Sequence, residues 1–233
     1  MKVGIIGYGE VGRAIESLYL QPIKIKDLDR EDDLSGLDLI HVCIPYSDSF
    51  VDTISSLIDL YSPTNTILHS TVAPHTTKAI SQNVLSTVAH SPIRGVHPYL
   101  KKGILTFEKY IGCDTDCTQI EEHLRSLDIK TKKVSSLTSE VAKLFSTTYY
   151  GLCIAWHGEM KKVCDELGVD FDEAVTNWNQ NYNDSYKKLG KGNVTRPVLH
   201  PPEKIGGHCV IPNTKILKKF LDSRAIDLIL EYS

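Results

Sequence analysis

Three glycines at 7, 9 and 12 in Gly7-Tyr8-Gly9-Glu10-Val11-Gly12 have a spacing that can serve phosphate chemistry. Gly7 allows a tight turn, Gly9 lets backbone approach a pyrophosphate closely, and Gly12 lets a following helix pack against the preceding strand. Tyr8, Glu10 and Val11 complete the turn, and a helix starting there would offer amide donors and a favourable dipole to an anion. The apolar run before the turn and the helical spacing after it supply the required context. Asp27 lies about 20 residues on, at the end of the next apolar run. Its carboxylate would accept hydrogen bonds from ribose hydroxyls and repel a 2′-phosphate, which favours NAD over NADP. Asp29 takes that role if the strand ends later.

These groups need elements to hold them. Residues 2–6, 23–27, 38–45 and 66–70 read as strands, and Val11, Ala14, Ile15 and Leu18, then Ile54, Leu57, Ile58 and Tyr61, keep helical spacing. Such alternation predicts βαβ units around a parallel sheet. Beyond residue 85 the pattern weakens, with short strands expected near 86–90, 109–112 and 129–134 and a helix through Ile120, Leu124 and Leu127. The expected fold is α/β: a Rossmann-type, mostly parallel sheet over 1–134, followed by a smaller, mainly α-helical domain over 135–233. One long helix, capped at Thr138 or Ser139 and stopped by Gly168, should dominate the second part. A further helix is expected from Asp170 or Asp172 toward Tyr182, then an irregular loop over 184–208 and two short helices near 213–222 and 224–232.

Composition narrows the function. The chain has 233 residues, 41% hydrophobic and 24% charged, enough for a sizeable core. A formal charge of −3 gives no basic footprint for nucleic acid or a membrane surface. The first residues run straight into a strand, leaving no room for a signal peptide, and no apolar run approaches the ~18 residues of a membrane span. A cytoplasmic protein is the expectation. Six cysteines form no CxxC pair, and His157 and His200 have no ligand spacing, so no metal is expected.

Four further motifs resemble, in order, the UDP-glucose/GDP-mannose dehydrogenase family, part of the 6-phosphogluconate dehydrogenase-like superfamily. CIP at 43–45 is similar to its turn after the third strand, and STVAPHTT at 70–77 to its STVxPGTT turn. EVAKLF at 140–145 is similar to the ExxK start of its central helix, and GGHC at 206–209 to its nucleophile loop. The resemblance implies that Pro45, Ser70 and Thr71 join the NAD site, that Lys143 is the catalytic lysine and that Cys209 is the nucleophile. It also implies a homodimer through the helix at 139–167, where Tyr149, Tyr150 and Trp156 add apolar surface.

Departures accompany the match. Ile93 stands where the family has a catalytic glutamate, Thr147 where it has an asparagine and Asn213 where it has an aspartate, and the chain ends before a nucleotide-sugar-binding third domain. The implied activity is NAD-dependent oxidation of a sugar alcohol group, with a nucleotide sugar among the candidate substrates. Two rivals remain open: an NAD-binding protein without turnover, acting as a sensor or complex subunit, and a small hydroxy-acid or prephenate-type dehydrogenase using His97. His208 stands beside Cys209 and would orient or acidify its thiol, and the basic stretch 187–193 would face solvent or meet an anionic substrate group.

Overall fold

A computed structural model describes residues 1–233. The chain packs as two compact units, Met1–Lys143 and Leu144–Ser233. In the first, β1 (Val3–Ile6) leads to α1 (Glu10–Glu16), followed by β2 (Lys24–Asp27), β3 (Arg30–Glu31) and β4 (Leu39–Val42). The helix α2 (Phe50–Tyr61) precedes β5 (Asn65–Leu68), and α3 (Thr76–Asn83) precedes β6 (Thr87–His90). The unit continues with α4 (Leu100–Thr106), β7 (Lys109–Gly112), α5 (Thr118–Ser126) and β8 (Thr131–Val134).

These eight strands form one sheet in the order β3-β2-β1-β4-β5-β6-β7-β8, parallel except at β2–β3 and β6–β7. Neighbouring residues on a strand point to opposite faces, and both faces are apolar. Ile5, Leu39, Ile67 and Ala89 enter one core cluster, while Ile6, Ile40, Leu68 and Val88 enter the other. Such strands read as continuous apolar runs because helices cover both sides. The helix α2 turns Phe50, Ile54 and Ile58 inward, and α5 does the same with Ile120 and Leu124. Burying each such side chain fully contributes about 1.5–3 kcal/mol.

Strand order reverses at β1, which pairs β2 on one side and β4 on the other. Open α/β sheets bind ligands at the carboxyl ends of the strands flanking such a switch point. Gly7 and Cys43-Ile44-Pro45 follow those two strands.

The helix α6 (Ser136–Leu167) begins in the first unit and continues into the second. It starts earlier than its local sequence predicts, because the remote Asp114 accepts a hydrogen bond from Ser136 N at 3.0 Å. Ser139 and Lys143 also bond partners in the first unit, His90 and Ile93. The compact units accordingly divide later than residue 134. Gly168, at φ +68°, ends the helix.

A π-helical stretch, Asp172–Asn177, runs into α7 (Trp178–Lys188), so the irregular segment starts later than 184. The helix α8 (Val210–Lys218) also starts earlier than expected, with Pro212 in its first turn, where a missing N–H costs little. The last helix is α9 (Arg224–Glu231). Small residues on α6 admit the later elements: a Cβ on Gly151 would lie 2.5 Å from Val210, and one on Gly158 2.5 Å from Tyr232. Ala155, Ile205, Val210, Ile229 and Tyr232 form a core here.

Candidate functional site

The glycine turn has a steric reason at two of its three glycines. Gly7 sits at φ +92°, and a Cβ there would lie 2.8 Å from the Cys43 carbonyl carbon. At Gly12 a Cβ would lie 2.1 Å from the Gly7 oxygen, so α1 could not pack so close to β1. Gly9 is the opposite case: it caps α1, is exposed, and a Cβ there would meet nothing within 4 Å. The open face of Gly9 leaves room for a ligand to approach the backbone.

Asp27 is tied to this turn. Its Oδ2 accepts from Tyr8 N at 2.6 Å and its Oδ1 from Leu28 N at 2.7 Å. A carboxylate has about four acceptor sites, so capacity remains for two hydroxyl donors. Asp29 lies in the turn joining β2 to β3 and is exposed. Tyr8 bonds Glu16 through its hydroxyl, with the Arg13 and Arg30 guanidiniums 5.5 and 5.8 Å from its ring centre. Val11 packs into the core, and Glu10 faces outward, 2.7 Å from His97 Nδ1.

Across the switch point, the turns after β4 and β5 are joined. Ser70 Oγ donates to the Ile44 carbonyl at 2.5 Å, beside exposed Pro45 and half-buried Thr71. His90 Nε2 lies 3.0 Å from the Ser70 carbonyl. From sequence alone Glu140 has no role beyond opening the EVAKLF motif. Glu140 is fully buried, and its carboxylate accepts from His75 N and Thr77 N at 2.7 Å and from Thr77 Oγ1 at 2.6 Å, capping α3 from α6. Burial raises its pKa against these bonds. His75 adopts φ +71°, the left-handed region that favours glycine, at the place where STVxPGTT has one.

Lys143 donates Nζ to the Ile93 carbonyl at 2.8 Å. Ile93 is itself buried, with no polar side-chain atom to offer.

In the second unit Cys209 is exposed and caps α8. One turn on, Asn213 donates its backbone N–H to the Cys209 carbonyl at 3.1 Å. Buried Asn213 also donates Nδ2 to Thr147 Oγ1 at 3.2 Å. Cys209, Asn213 and Thr147 are thus gathered at one end of α8. His208 and His200 are exposed, and His157 donates Nδ1–H to the Cys153 carbonyl at 2.6 Å within α6. Burial holds the Cys43 thiol up at about 12 and, reinforced by Cys113, the Cys117 thiol at about 11. No group of three or more His, Cys, Asp or Glu residues could hold a metal ion. No helix is long and apolar enough to cross a membrane.

Comparison with known proteins bears on the second half of the chain most directly. Residues 137–231 match the central domain of the UDP-glucose/GDP-mannose dehydrogenase family. This stretch is similar to that domain. Over 189 residues the chain is 26% identical to a UDP-N-acetyl-D-mannosamine dehydrogenase of Methanococcus maripaludis, covering 78% of this chain and 40% of the relative. An NDP-N-acetyl-D-galactosaminuronic acid dehydrogenase of Ralstonia solanacearum is 25% identical over 126 residues, 53% of this chain and 27% of its own length. The chain therefore spans about two fifths or less of the curated relatives it matches. Among solved structures, a UDP-D-ManNAc dehydrogenase from Pyrococcus horikoshii superposes with a TM-score of 0.79 at 17% identity, covering all of this chain and 68% of that one. At that identity the likeness speaks for the Rossmann-like α/β fold alone.

Proposed function

We propose that the chain is the cofactor-binding and catalytic part of an NAD-dependent dehydrogenase that oxidises a CH–OH group of a sugar, with nucleotide sugars as the substrate class. The observation that carries this reading is the Asp27 carboxylate fixed against Tyr8 N beside the open face of Gly9. An adenosine ribose fits the free acceptor sites of Asp27, and a pyrophosphate fits the uncovered backbone at Gly9–Val11. Pro45, Ser70 and Thr71 would line the nicotinamide end, their turns held by Glu140 and His90. Bound NAD would accept the hydride lost by the alcohol carbon.

The remaining chemistry falls to side chains. Lys143 can donate to a substrate hydroxyl once it leaves the Ile93 carbonyl, and its charge would stabilise an alkoxide. Cys209, an exposed thiol at the amino end of α8, suits attack on an aldehyde carbon. Asn213 and Thr147 can orient a carbonyl or a water, but neither an amide nor a hydroxyl acts as a general base near neutral pH. Hydrolysis of an acyl-cysteine is therefore the weakest step, and a single two-electron oxidation is the favoured outcome. The exposed Tyr149, Tyr150 and Trp156 on α6 support association of two copies. The same Asn213–Thr147 pair favours the second reading, an NAD-binding protein without turnover.

The test is NADH formation across UDP-sugars, GDP-sugars and simple hydroxy acids, with Cys209→Ser and His97→Ala beside the unaltered protein. We expect NADH from a nucleotide sugar. Loss with Cys209→Ser would place the thiol in the reaction, whereas hydroxy-acid oxidation lost with His97→Ala would favour the prephenate-type alternative. NAD binding without any NADH would leave the second reading.

A further inference from the structure

Beside Asp27 the first unit carries two arginines that the proposed reaction leaves unused. The strands β2 and β3 form a hairpin in which Asp27 stands opposite Arg30. Side chains directly opposite each other in an antiparallel pair project to the same face, with Cβ atoms about 4.5–5.5 Å apart. Arg30 therefore shares the face on which Asp27 offers its free acceptor sites. Lys26 and Glu31, one rung on, pair on the other face at 3.6 Å.

Both guanidiniums gather at Tyr8, whose backbone N–H donates to Asp27 Oδ2 at 2.6 Å. The centre of its ring lies 5.5 Å from the Arg13 guanidinium carbon and 5.8 Å from that of Arg30. Arg13 follows Gly12 and rides on α1, while Arg30 is steadied by Asp32 Oδ2 at 3.1 Å. Asp32 is itself pinned, because the same oxygen accepts from Ile25 N at 2.8 Å. A guanidinium has five donors, and both arginines are exposed, so donors remain open to a ligand.

Charge decides which dinucleotide this cluster suits. A carboxylate accepts from a ribose 2′-hydroxyl and repels a 2′-phosphate, whose charge near neutral pH is about −1.5 to −2. An arginine has the opposite effect, because its planar fork bonds two phosphate oxygens through charge-assisted hydrogen bonds. Dinucleotide sites use an acidic residue for the ribose hydroxyl or an arginine for the 2′-phosphate. This chain carries both, on opposed positions of one hairpin.

We propose that Arg30, with Arg13 at the same tyrosine ring, forms a subsite for an adenosine 2′-phosphate, so that the chain takes NADP as a second cofactor. Arg30 is then the residue that sets how strongly NAD is preferred. The inference rests on the dinucleotide reading of the glycine turn. NAD would place its 2′-hydroxyl on Asp27 and leave both guanidiniums in water. NADP would set its 2′-phosphate against the Arg30 fork, opposed by the Asp27 charge. Asp32, on Arg30, and Glu16, on the Tyr8 hydroxyl, add to that opposition and keep NAD the tighter ligand.

The test is calorimetric titration of the unaltered chain, Arg30→Gln and Arg30→Lys with NAD and with NADP, which needs no substrate. We expect NADP to bind the unaltered chain within about 100-fold of NAD. Arg30→Gln should weaken NADP about tenfold or more and leave NAD within about threefold, which also shows that the hairpin is intact. Arg30→Lys keeps the charge without the fork and should fall between the two. NADP binding weaker than that 100-fold limit in the unaltered chain overturns the proposal, whatever the variants do. Equal weakening of both dinucleotides by the two substitutions, or of neither, overturns it too, because the guanidinium then serves the adenine ring or the hairpin alone. NAD binding without NADP binding leaves the dehydrogenase reading standing, whereas a folded chain that binds neither overturns both.

Discussion

The glycine turn of the first unit and the cysteine turn of the second are built on one plan, each placing a residue at a helix amino end: Gly9 before α1 and Cys209 before α8. Around Gly9, backbone clashes dictate Gly7 and Gly12, and Asp27 is locked by two amides. Around Cys209, Asn213 is buried and bonded to Thr147, but neither of these two side chains can take up a proton near neutral pH. Scaffold and chemistry can therefore diverge. A helix end keeps its geometry when a carboxylate becomes an amide, whereas the backbone contacts at Gly7 and Gly12 leave no room for a side chain.

The sharpest way to break this contrast is Gly12→Val. Its side chain would occupy the Gly7 oxygen's place, so NAD affinity should fall by about 100-fold or more, about 2.7 kcal/mol, as read by calorimetric titration. An affinity within threefold of the original would show that the turn is not the phosphate site.

Acid comes next. His41, His69 and His90 have folded pKa values depressed by burial, His90 to about 3, so the fold favours their neutral forms. Their contribution is complete above the unfolded value of about 6.5 and is lost as pH falls below it. Lys109, at about 7 when folded, has the same sign over a higher window, losing stability from about 10.4 down to about 7. Urea unfolding should show a loss of order 3 kcal/mol between pH 6.5 and 5, whereas a flat profile would mean the imidazoles are paired otherwise. Because these groups lie in the sheet that carries the glycine turn, NAD binding should weaken over the same range.

A smaller effect sharpens the cofactor half. Asp27→Asn should weaken NAD about tenfold, from the loss of charged hydrogen bonds worth about 1.5–3 kcal/mol, and narrow any preference over NADP in parallel titrations. The smallest concerns His75→Gly, which relieves a left-handed backbone and should stabilise the first unit by up to about 1 kcal/mol in urea unfolding. A destabilised variant would mean that the His75 side chain contributes contacts of its own.

Much of the first unit was legible because its signals are local. The run before Gly7, the turn itself and Asp27 lie within one βαβ unit, and apolar strands flanked by helical spacing are the mark of a sheet covered on both faces. Elements fixed by remote partners were not legible. The helix α3 has only Ala79 and Ile80 as apolar residues, α4 is barely two turns long, and α6 starts where Asp114 caps it from another loop. The buried hydrogen-bonded chain of His41, His69 and Tyr19 depends on β4 and β5 lying side by side and on the loop after α1 reaching them, which no spacing in the sequence reveals. At the cysteine turn the motif GGHC located the helix end, but the bond between Asn213 and Thr147 required the packing of α8 on α6.

The most direct test of the central claim is calorimetric titration of the folded chain with NAD, with Gly12→Val as the control and circular dichroism to verify that both are folded. The account predicts one NAD per chain, weakened about 100-fold or more in Gly12→Val. A folded, unaltered chain that takes up no NAD would contradict it.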